Sequence, residues 1–407
     1  MTPARTAIGT TSLLLAALMF FLLAAGCSHL IRPEITKENS LERVRASKYP
    51  LFEDRHDYTD LIAGIDGSLS YLSRIPGERK FFFGKDIYTA AHLKKSLQHF
   101  RNRIDANPSG EALNRFIKDH YILYQSVGSD GKGQMLFTGY YEPTIRGSLV
   151  ETPACRYPIY ARPDDLTTID LSLFGPEFKG KRIVGRYTGN AIVPYYERSE
   201  IDHTGVLDDR SEILAWVGDP IDLFFLQIQG SGKIIMESGE YLNVHYHMVN
   251  GHPYRSIGRM LIDEDKIARE EMSMQKIRSY LNAHPDEVER VLNYNPSYVF
   301  FKLEAEGPIG YIQVKLTPMR SIALDRKIFP PAALAYIETQ QPELDHYNEI
   351  YQWEDLGAFV LNQDTGGAIK GPGRADLFWG NGAYAEMAAG HMQHPGKLYF
   401  LVLNPDL

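Results

Sequence analysis

Cysteine is scarce in this 407-residue sequence, which contains only Cys27 and Cys155. If Cys27 is modified, as argued below, Cys155 has no partner within the chain, so no intramolecular disulfide is expected and packing must stabilise the fold. Runs of five or more basic residues are also missing, and the formal net charge is -8. Nucleic acid is therefore not expected as a partner. Internal repeats and low-complexity tracts are absent, and the length is sufficient for two domains with separate cores.

Several catalytic signatures are present only in part. Asp364-Thr365-Gly366 is the tripeptide of aspartic proteases, but it occurs once, and the protease dyad needs two copies. Ser273-Met274-Gln275-Lys276 matches the Ser-x-x-Lys of penicillin-binding proteins without a later Lys-Thr-Gly, so Ser273 is better explained as a helix N-cap. His245 and His247 alternate on one predicted strand, without a third ligand at diagnostic spacing. The sequence therefore predicts neither a metal site nor a cofactor.

The amino terminus is apolar and almost uncharged. Arg5 is the only charged residue before Cys27, and residues 12–25 are nearly all apolar. This pattern predicts a secretory signal peptide over residues 1–27, because the segment is too short and too one-sided for a stop-transfer helix. The string Leu-Ala-Ala-Gly before the cysteine resembles a bacterial lipobox, which implies a lipidated Cys27 as the mature N-terminus. With Ser28 next, the resemblance favours an outer membrane lipoprotein facing the periplasm; an uncleaved N-terminal anchor is the alternative.

Apolar periodicity divides the mature chain into helical and strand-forming segments. The spacing from Leu93 to Phe100 predicts one amphipathic helix, and the spacing from Leu113 to Tyr124 predicts a second. Residues 135–141 have a strand pattern, which Pro143 stops. Downstream, short apolar runs separated by turn residues predict strands, and Leu223–Gln229 is interpreted as one of them. The predicted fold class is therefore mainly β with helices.

Two aspartates stand at the edges of apolar runs that predict buried strands. Asp364 follows Phe359-Val360-Leu361, and Asp376 precedes Leu377-Phe378-Trp379 across a glycine-rich turn. A carboxyl group held in apolar surroundings keeps its proton near neutral pH, which suits proton transfer to a sugar or a peptide. The alternative is that both aspartates cap turns in their own backbone.

Seven strings, in order along the chain, resemble motifs of the membrane-bound lytic murein transglycosylases of type A. The strings are Phe137–Pro143, Gln229–Gly232, Gly251–Gly258, Met272–Gln275, Asn295–Phe301, Leu324–Pro330 and Asp364–Asp376. The resemblance extends from about residue 137 to the C-terminus, whereas residues 50–130 are poorly diagnostic. The shared order is far more specific than any one string.

The resemblance implies a double-psi β-barrel domain and a second, inserted β-rich domain, with a glycan groove between them. On this basis the barrel domain is discontinuous. It comprises residues 28–144, with a helical N-terminal part, and residues 272–407, with a C-terminal three-aspartate segment at about 310–405. The inserted domain covers residues 145–271.

The resemblance also implies a peptidoglycan lytic exotransglycosylase, which cleaves the β-1,4 bond between N-acetylmuramic acid and N-acetylglucosamine and forms 1,6-anhydro-muramic acid ends. Asp376 maps onto the catalytic acid, which later acts as the base. The loop before it is one residue longer than the family pattern, so Asp364 stays open as the acid. Otherwise Asp364 is a supporting carboxylate, and Asp325 a supporting or structural one. The implied substrate-binding residues are Thr138, Tyr140, Tyr141, Gln229, Ser231, Lys370 and Trp379.

The environment of Asp376 is expected to raise its pKa, through burial beside Leu377-Phe378-Trp379 and through repulsion from Asp364. The expected partners are peptidoglycan glycan strands and, through the lipid anchor, the membrane; a murein synthase complex is left open. The alternative function is a non-catalytic peptidoglycan-binding scaffold lipoprotein, in which the aspartates serve turns.

Overall fold

The computed structural model describes residues 35–407, so the predicted signal peptide and Cys27 lie outside the described residues. The helices in this part of the chain are α1 (Leu61–Ser73), α2 (Ala90–Asp105), α3 (Gly110–His120), α4 (Arg198–His203), α5 (Pro220–Gln229), α6 (Ile257–Asp263), α7 (Met274–Ala283), α8 (Val288–Asn293) and α9 (Ala383–His391). The strands are β1 (Leu41–Arg43), β2 (Lys80–Phe83), β3 (Asp86–Thr89), β4 (Tyr121–Ser126), β5 (Met135–Glu142), β6 (Thr144–Ser148), β7 (Tyr157–Tyr160), β8 (Thr167–Asp170), β9 (Arg182–Tyr187), β10 (Ile192–Pro194), β11 (Ile213–Val217), β12 (Ser231–Ile235), β13 (Tyr241–Val249), β14 (Val299–Glu304), β15 (Ser321–Ala323), β16 (Leu334–Leu344), β17 (Ile350–Asp364), β18 (Arg374–Asn381) and β19 (Gln393–Leu403).

Six strands close into a barrel. Their order is β19-β16-β17-β15-β18-β5, and β5 pairs again with β19, which completes the ring. The chain thus joins a strand from its first half, β5, to strands near its C-terminus. Strands β4 and β1 continue the sheet outward from β19. Closure removes the unpaired edges that an open sheet would expose.

A second sheet is inserted between β5 and β15, with the order β14-β13-β12-β6-β11-β7. Its apolar core includes Ile159, Val217, Leu226 and Ile234, all buried. Strand β14 belongs to this sheet because Val299–Glu304 pairs antiparallel with β13. The sheet therefore extends past residue 271, where the sequence prediction placed the end of the inserted domain.

The predicted strand at Leu223–Gln229 is wrong, because this run forms helix α5. Asp219 caps the helix by accepting a hydrogen bond from the backbone N–H of Ile221, and Pro220 occupies its first turn. Gly230 ends it in a left-handed conformation, with φ of 80°. The run is buried on nearly every side, so the apolar pattern alone could not distinguish a strand from a buried helix.

The N-terminal helices pack against the barrel. Helix α1 lies against β17, and α2 lies against β19. The second predicted helix ends at His120, not at Tyr124, because Tyr121–Ser126 forms β4 and pairs with β19. Ser273 is confirmed as the N-cap of α7, since its hydroxyl accepts a hydrogen bond from the N–H of Lys276 at 3.1 Å.

A buried ion pair fastens the segment before α1 to the barrel. The guanidinium of Arg320 donates to both carboxylate oxygens of Asp54, at 2.7 and 2.9 Å, and both side chains are fully buried. The same guanidinium donates to the carbonyl oxygen of Phe359 on β17.

Overall, the fold is mainly β with helices, as predicted. Within residues 35–407, no helix combines the length and apolarity that crossing a bilayer requires.

Candidate functional site

Asp364 and Asp376 lie on the two strands that flank the short strand β15. Asp364 ends β17, Asp376 is the third residue of β18, and both are in register with Ala323 of β15, which pairs with each of these strands. Both aspartates keep some solvent exposure although protein surrounds them closely. The twelve-residue separation in sequence thus becomes a separation of about two strand spacings, or roughly 10 Å between backbones.

The carboxyl group of Asp376 has one hydrogen-bond partner in the described structure. The hydroxyl of Thr138 on β5 donates to Oδ1 of Asp376 at 2.8 Å, and the two residues face each other in register. Burial raises the pKa of Asp376 to about 6, although the Thr138 hydrogen bond and the charge of Arg374 both oppose the shift. A carboxylic acid of this kind holds its proton close to neutral pH and is accessible to a ligand.

Asp364 is more heavily hydrogen-bonded. The hydroxyl of Tyr140 donates to Oδ2 at 2.8 Å, and the backbone N–H of Tyr311 donates to Oδ1 at 3.0 Å. Burial raises the pKa of Asp364 to about 6, its hydrogen bonds oppose the shift, and the charge of Asp376 adds to it. The repulsion that the sequence interpretation expected to act on Asp376 is therefore found on Asp364.

Asp325 occupies a different place from the other two aspartates. It is almost fully buried, and its carboxylate accepts hydrogen bonds from the backbone N–H groups of Lys327 at 3.0 Å and Gly371 at 2.8 Å. The second of these bonds fixes the turn between β17 and β18. Lys370, predicted to bind substrate, lies exposed in that turn.

The predicted aromatic residues divide between two faces of the barrel wall. Tyr140 belongs to the face with the aspartates, and its ring lies 5.2 Å from that of Phe378. Trp379 points the other way because side chains alternate along β18, and it is only 4% exposed. It packs so closely on β5 that a Cβ at Gly139 would lie 2.5 Å from its Nε1. Tyr141 is likewise buried, so neither it nor Trp379 presents a free ring beside the aspartates.

Gln229 and Ser231 lie where the second sheet meets β5. The side-chain oxygen of Gln229 accepts a hydrogen bond from the backbone N–H of Tyr141 at 3.1 Å. Ser231 begins β12, is largely buried and is in register with His245. Neither residue hydrogen-bonds to Asp364 or Asp376, so their contribution to the site is through the position of β5.

Two residues near the aspartates, Tyr311 and Arg374, were missed by sequence reasoning. Tyr311 was missed because it lies in a loop without a motif, and Arg374 because it lies in the segment whose register was uncertain. The charge of Arg374 also opposes the burial that raises the pKa of Tyr254, a residue on the segment between β13 and α6. Alternation along β18 could have identified Arg374, because it stands two positions before Asp376.

In residues 35–407, no cluster of three or more metal-ligating side chains is found.

Comparison with known proteins identifies two family domains in the chain. Residues 136–302 match the model of the MltA specific insert domain, and residues 320–402 match that of the 3D domain. The first match begins in β5 and ends within β14, so it includes the second sheet except for the last two residues of β14. The second match includes β16 to β18 and both candidate carboxylates.

Among curated relatives, the membrane-bound lytic murein transglycosylase A of Escherichia coli K12 is 36% identical over 285 residues, covering 69% of each chain. The protein of that name from Vibrio cholerae is 32% identical, covering 69% of this chain and 68% of its own. A solved membrane-bound lytic murein transglycosylase from Agrobacterium tumefaciens superposes with a TM-score of 0.73 at 30% identity, covering 89% of this chain and 98% of that one. E. coli MltA with bound chitohexaose superposes with a TM-score of 0.69 at 26% identity, covering 92% of this chain and 97% of that one. The chain belongs to the membrane-bound lytic murein transglycosylase A family.

Proposed function

We propose that this protein is a peptidoglycan lytic transglycosylase, which cleaves the β-1,4 bond between N-acetylmuramic acid and N-acetylglucosamine and leaves 1,6-anhydro-muramic acid ends. The observation that carries the proposal is the Asp376 carboxyl group, partly exposed on the barrel wall with its pKa raised to about 6. Relatives named lytic murein transglycosylase A support the substrate class.

Asp376 acts first as an acid. Its proton passes to the glycosidic oxygen, the C1–O bond breaks, and N-acetylglucosamine leaves with a free hydroxyl group. The muramoyl C6 hydroxyl oxygen then bonds to C1, and its proton passes to the Asp376 carboxylate, which restores the acid. No water is consumed, in contrast to a hydrolytic glycosidase, whose second carboxylate activates water or attacks C1 itself. Because the nucleophile belongs to the substrate, the rate gain depends on how the protein orients the ring.

Asp364 supports this reaction without transferring the proton. Its oxygens are already engaged by Tyr140 and the N–H of Tyr311, so it has fewer free lone pairs for the substrate than Asp376 has. When ionised, it provides negative charge near the positive charge that develops on the sugar. Asp325 is structural in this scheme, since both of its recorded hydrogen bonds hold local backbone.

The proposed glycan groove runs between the barrel, which we take to be a double-psi barrel, and the inserted domain. Two aromatic residues of the insert support its position. The charge of Arg326 acts on the pKa of Tyr246, and that of Arg374 acts on the pKa of Tyr254, so each ring lies near a barrel arginine. The relative crystallised with chitohexaose supports a glycan as the occupant.

Substrate contacts follow from this placement. Thr138, Tyr140 and Lys370 are the predicted binding residues that reach the aspartate side or the exposed turn, and we propose direct contacts for them. The other predicted binding residues are buried or engaged with the protein, and we propose that they hold the groove wall in position; they are Tyr141, Gln229, Ser231 and Trp379.

We further propose that Cys27 carries the lipid that anchors the protein to the outer membrane on its periplasmic side. There the enzyme would act on the ends of glycan strands.

Purified murein sacculi and mass spectrometry test the function. The wild-type protein should release muropeptides one water lighter than the products of a hydrolase, because each carries an anhydro end. Asp376→Asn should release them about a hundredfold or more slowly, whereas Asp209→Asn, which changes an exposed aspartate elsewhere, should behave as the wild type. Products with reducing muramic ends would contradict the mechanism. Glycan binding without any cleavage by the wild type would favour the scaffold alternative.

A further inference from the structure

Arg374 stands beside the proposed acid. It is the first residue of β18, two positions before Asp376, so strand alternation turns both side chains to the same face of the barrel. Their backbones are about 7 Å apart along the strand, at roughly 3.4 Å per residue. This distance is comparable with the span of one sugar ring and its substituent.

The guanidinium of Arg374 has no protein partner among residues 35–407. Its Nε is buried without a hydrogen-bond acceptor, and the side chain forms no ion pair there. Arg103 and Arg186 also have a buried Nε without an acceptor, but their guanidinium groups lie over the rings of Phe116 and Tyr196. Within the described residues, the guanidinium of Arg374 has no such ring contact. Arg198, by comparison, donates to Gln227 and to two carbonyl oxygens. A buried polar group in a native structure normally has a partner, so the free Nε of Arg374 points to a ligand.

A residue of the inserted domain completes the surroundings. Tyr254 is 47% exposed, and burial raises its pKa while the charges of Arg374 and Arg198 oppose that shift. The same guanidinium opposes the raised pKa of Asp376. Arg374 therefore lies near both Asp376 and Tyr254, on the path proposed for the glycan. The positive charge of Arg374 by itself lowers the pKa of Asp376 and so weakens the protonation that the acid needs.

We propose that Arg374 recognises the muramoyl residue by binding the oxygen atoms of its 3-O-lactyl group. The inference rests on the proposed function, because the lactyl ether is what distinguishes muramic acid from glucosamine in the glycan. A guanidinium offers two parallel N–H donors, which can donate to both oxygens of a free lactyl carboxylate or, where a stem peptide is attached, to the amide carbonyl oxygen. Binding of a lactyl carboxylate also neutralises the charge that opposes protonation of Asp376.

Ligand binding without turnover tests this inference. In the Asp376→Asn background, calorimetry would compare a muramoyl tetrasaccharide, freed of stem peptides by an amidase, with chitotetraose, which lacks the lactyl group. Adding Arg374→Gln should weaken binding of the muramoyl ligand by about tenfold or more and change chitotetraose affinity by less than about twofold. The affinity of the Arg374→Lys variant for the muramoyl ligand should lie between those of the arginine and glutamine forms, because lysine keeps the positive charge but lacks the two parallel N–H donors.

Arg115→Gln is the matched control, since Arg115 is exposed and forms an ion pair with Glu111 one helical turn away. Circular dichroism melting of each variant would confirm that it is folded. Equal losses for both ligands, or none for either, would overturn the role of Arg374 and leave the proposed function standing. If the Asp376→Asn protein bound neither glycan, the proposed function and this inference would both fail.

Discussion

Thr138 and Asp376 face each other in register on the parallel strands β5 and β18, with the threonine hydroxyl 2.8 Å from Oδ1 of the carboxyl group. Strand β5 is followed directly by the first strand of the second sheet, so this hydrogen bond joins the proposed acid to the place where the inserted domain leaves the barrel. The residue that hydrogen-bonds to the proposed acid therefore lies on the strand that leads into the inserted sheet.

Replacing the acid should separate activity from stability. Asp376→Asn should lower the cleavage rate by about 10²- to 10⁴-fold, the range for loss of a general acid. At pH 7 the folded state carries an ionised carboxyl group whose pKa is raised to about 6, which opposes folding, so the variant should be more stable by on the order of 1–2 kcal/mol. Urea unfolding at pH 7, with Asp209→Asn as the control, would measure this. A variant less stable than the control would contradict the raised pKa.

Cleavage should have a basic limb near pH 6. Both Asp376 and Asp364 have pKa values raised to about 6, so the protonated acid disappears as the pH rises above that value. The rate of muropeptide release should then fall by about tenfold per pH unit. The stability of the folded protein should also decrease as the pH rises, because a buried ionised carboxyl group opposes folding. This cost is absent below the ordinary aspartate pKa near 4 and fully present above about pH 6. A rate that is constant from pH 6 to 8 would exclude Asp376 as an acid with this pKa.

Thr138→Val should move the basic limb upward. The hydroxyl donates to the carboxylate and so favours its charged form; without that bond the pKa of Asp376 should rise further. A shift of up to about one pH unit in the rate profile is expected from the loss of one hydrogen bond to a charged group. Thr168→Val, at an exposed position on β8, is the control and should leave the profile unchanged. A downward shift would show that the hydroxyl does not stabilise the carboxylate.

Arg320→Met should be strongly destabilising without affecting the protonation of the site. The substitution leaves the fully buried Asp54 without its cation, and breaking a buried pair in this way costs about 3–5 kcal/mol. Urea unfolding would measure the loss, with the exposed Arg115→Gln expected to change stability by less than about 1 kcal/mol. The double variant Asp54→Leu, Arg320→Met should recover part of the loss. If the free energy of unfolding of the single variant fell by less than about 1 kcal/mol, the ion pair would not provide the stability that its burial indicates.

Sequence reasoning identified the strands that carry the site because their apolar runs are short and bounded by turns. Phe359–Leu361 and Leu377–Trp379 lie in β17 and β18 as expected. It could not predict that these strands meet β15, or that β5 closes the ring with β19, since those pairings join distant segments. The raised pKa of Asp376 follows from burial that the local pattern did indicate, whereas the charge of Arg374 acts through strand register.

Two expectations from the sequence depended on geometry that the local pattern does not contain. The family resemblance implied that Trp379 binds substrate, but Trp379 lies three positions after Asp376 on β18, so its side chain points to the opposite face. Leu223–Gln229 was interpreted as a strand because its apolar run is short, but Asp219 and Gly230 determine its ends as a helix. In both cases the interpretation used the adjacent residues in sequence and did not take into account strand alternation or the residues that cap a helix.

The closed ring also bears on when the protein becomes active. Strand β5, which holds Thr138 and Tyr140, is completed on one side by β18 and on the other by β19, the last strand of the chain. A partly synthesised chain therefore lacks the pairing that positions its carboxyl groups. For the wall-degrading enzyme proposed above, such a dependence would postpone cleavage until β19 had been synthesised and the ring had closed.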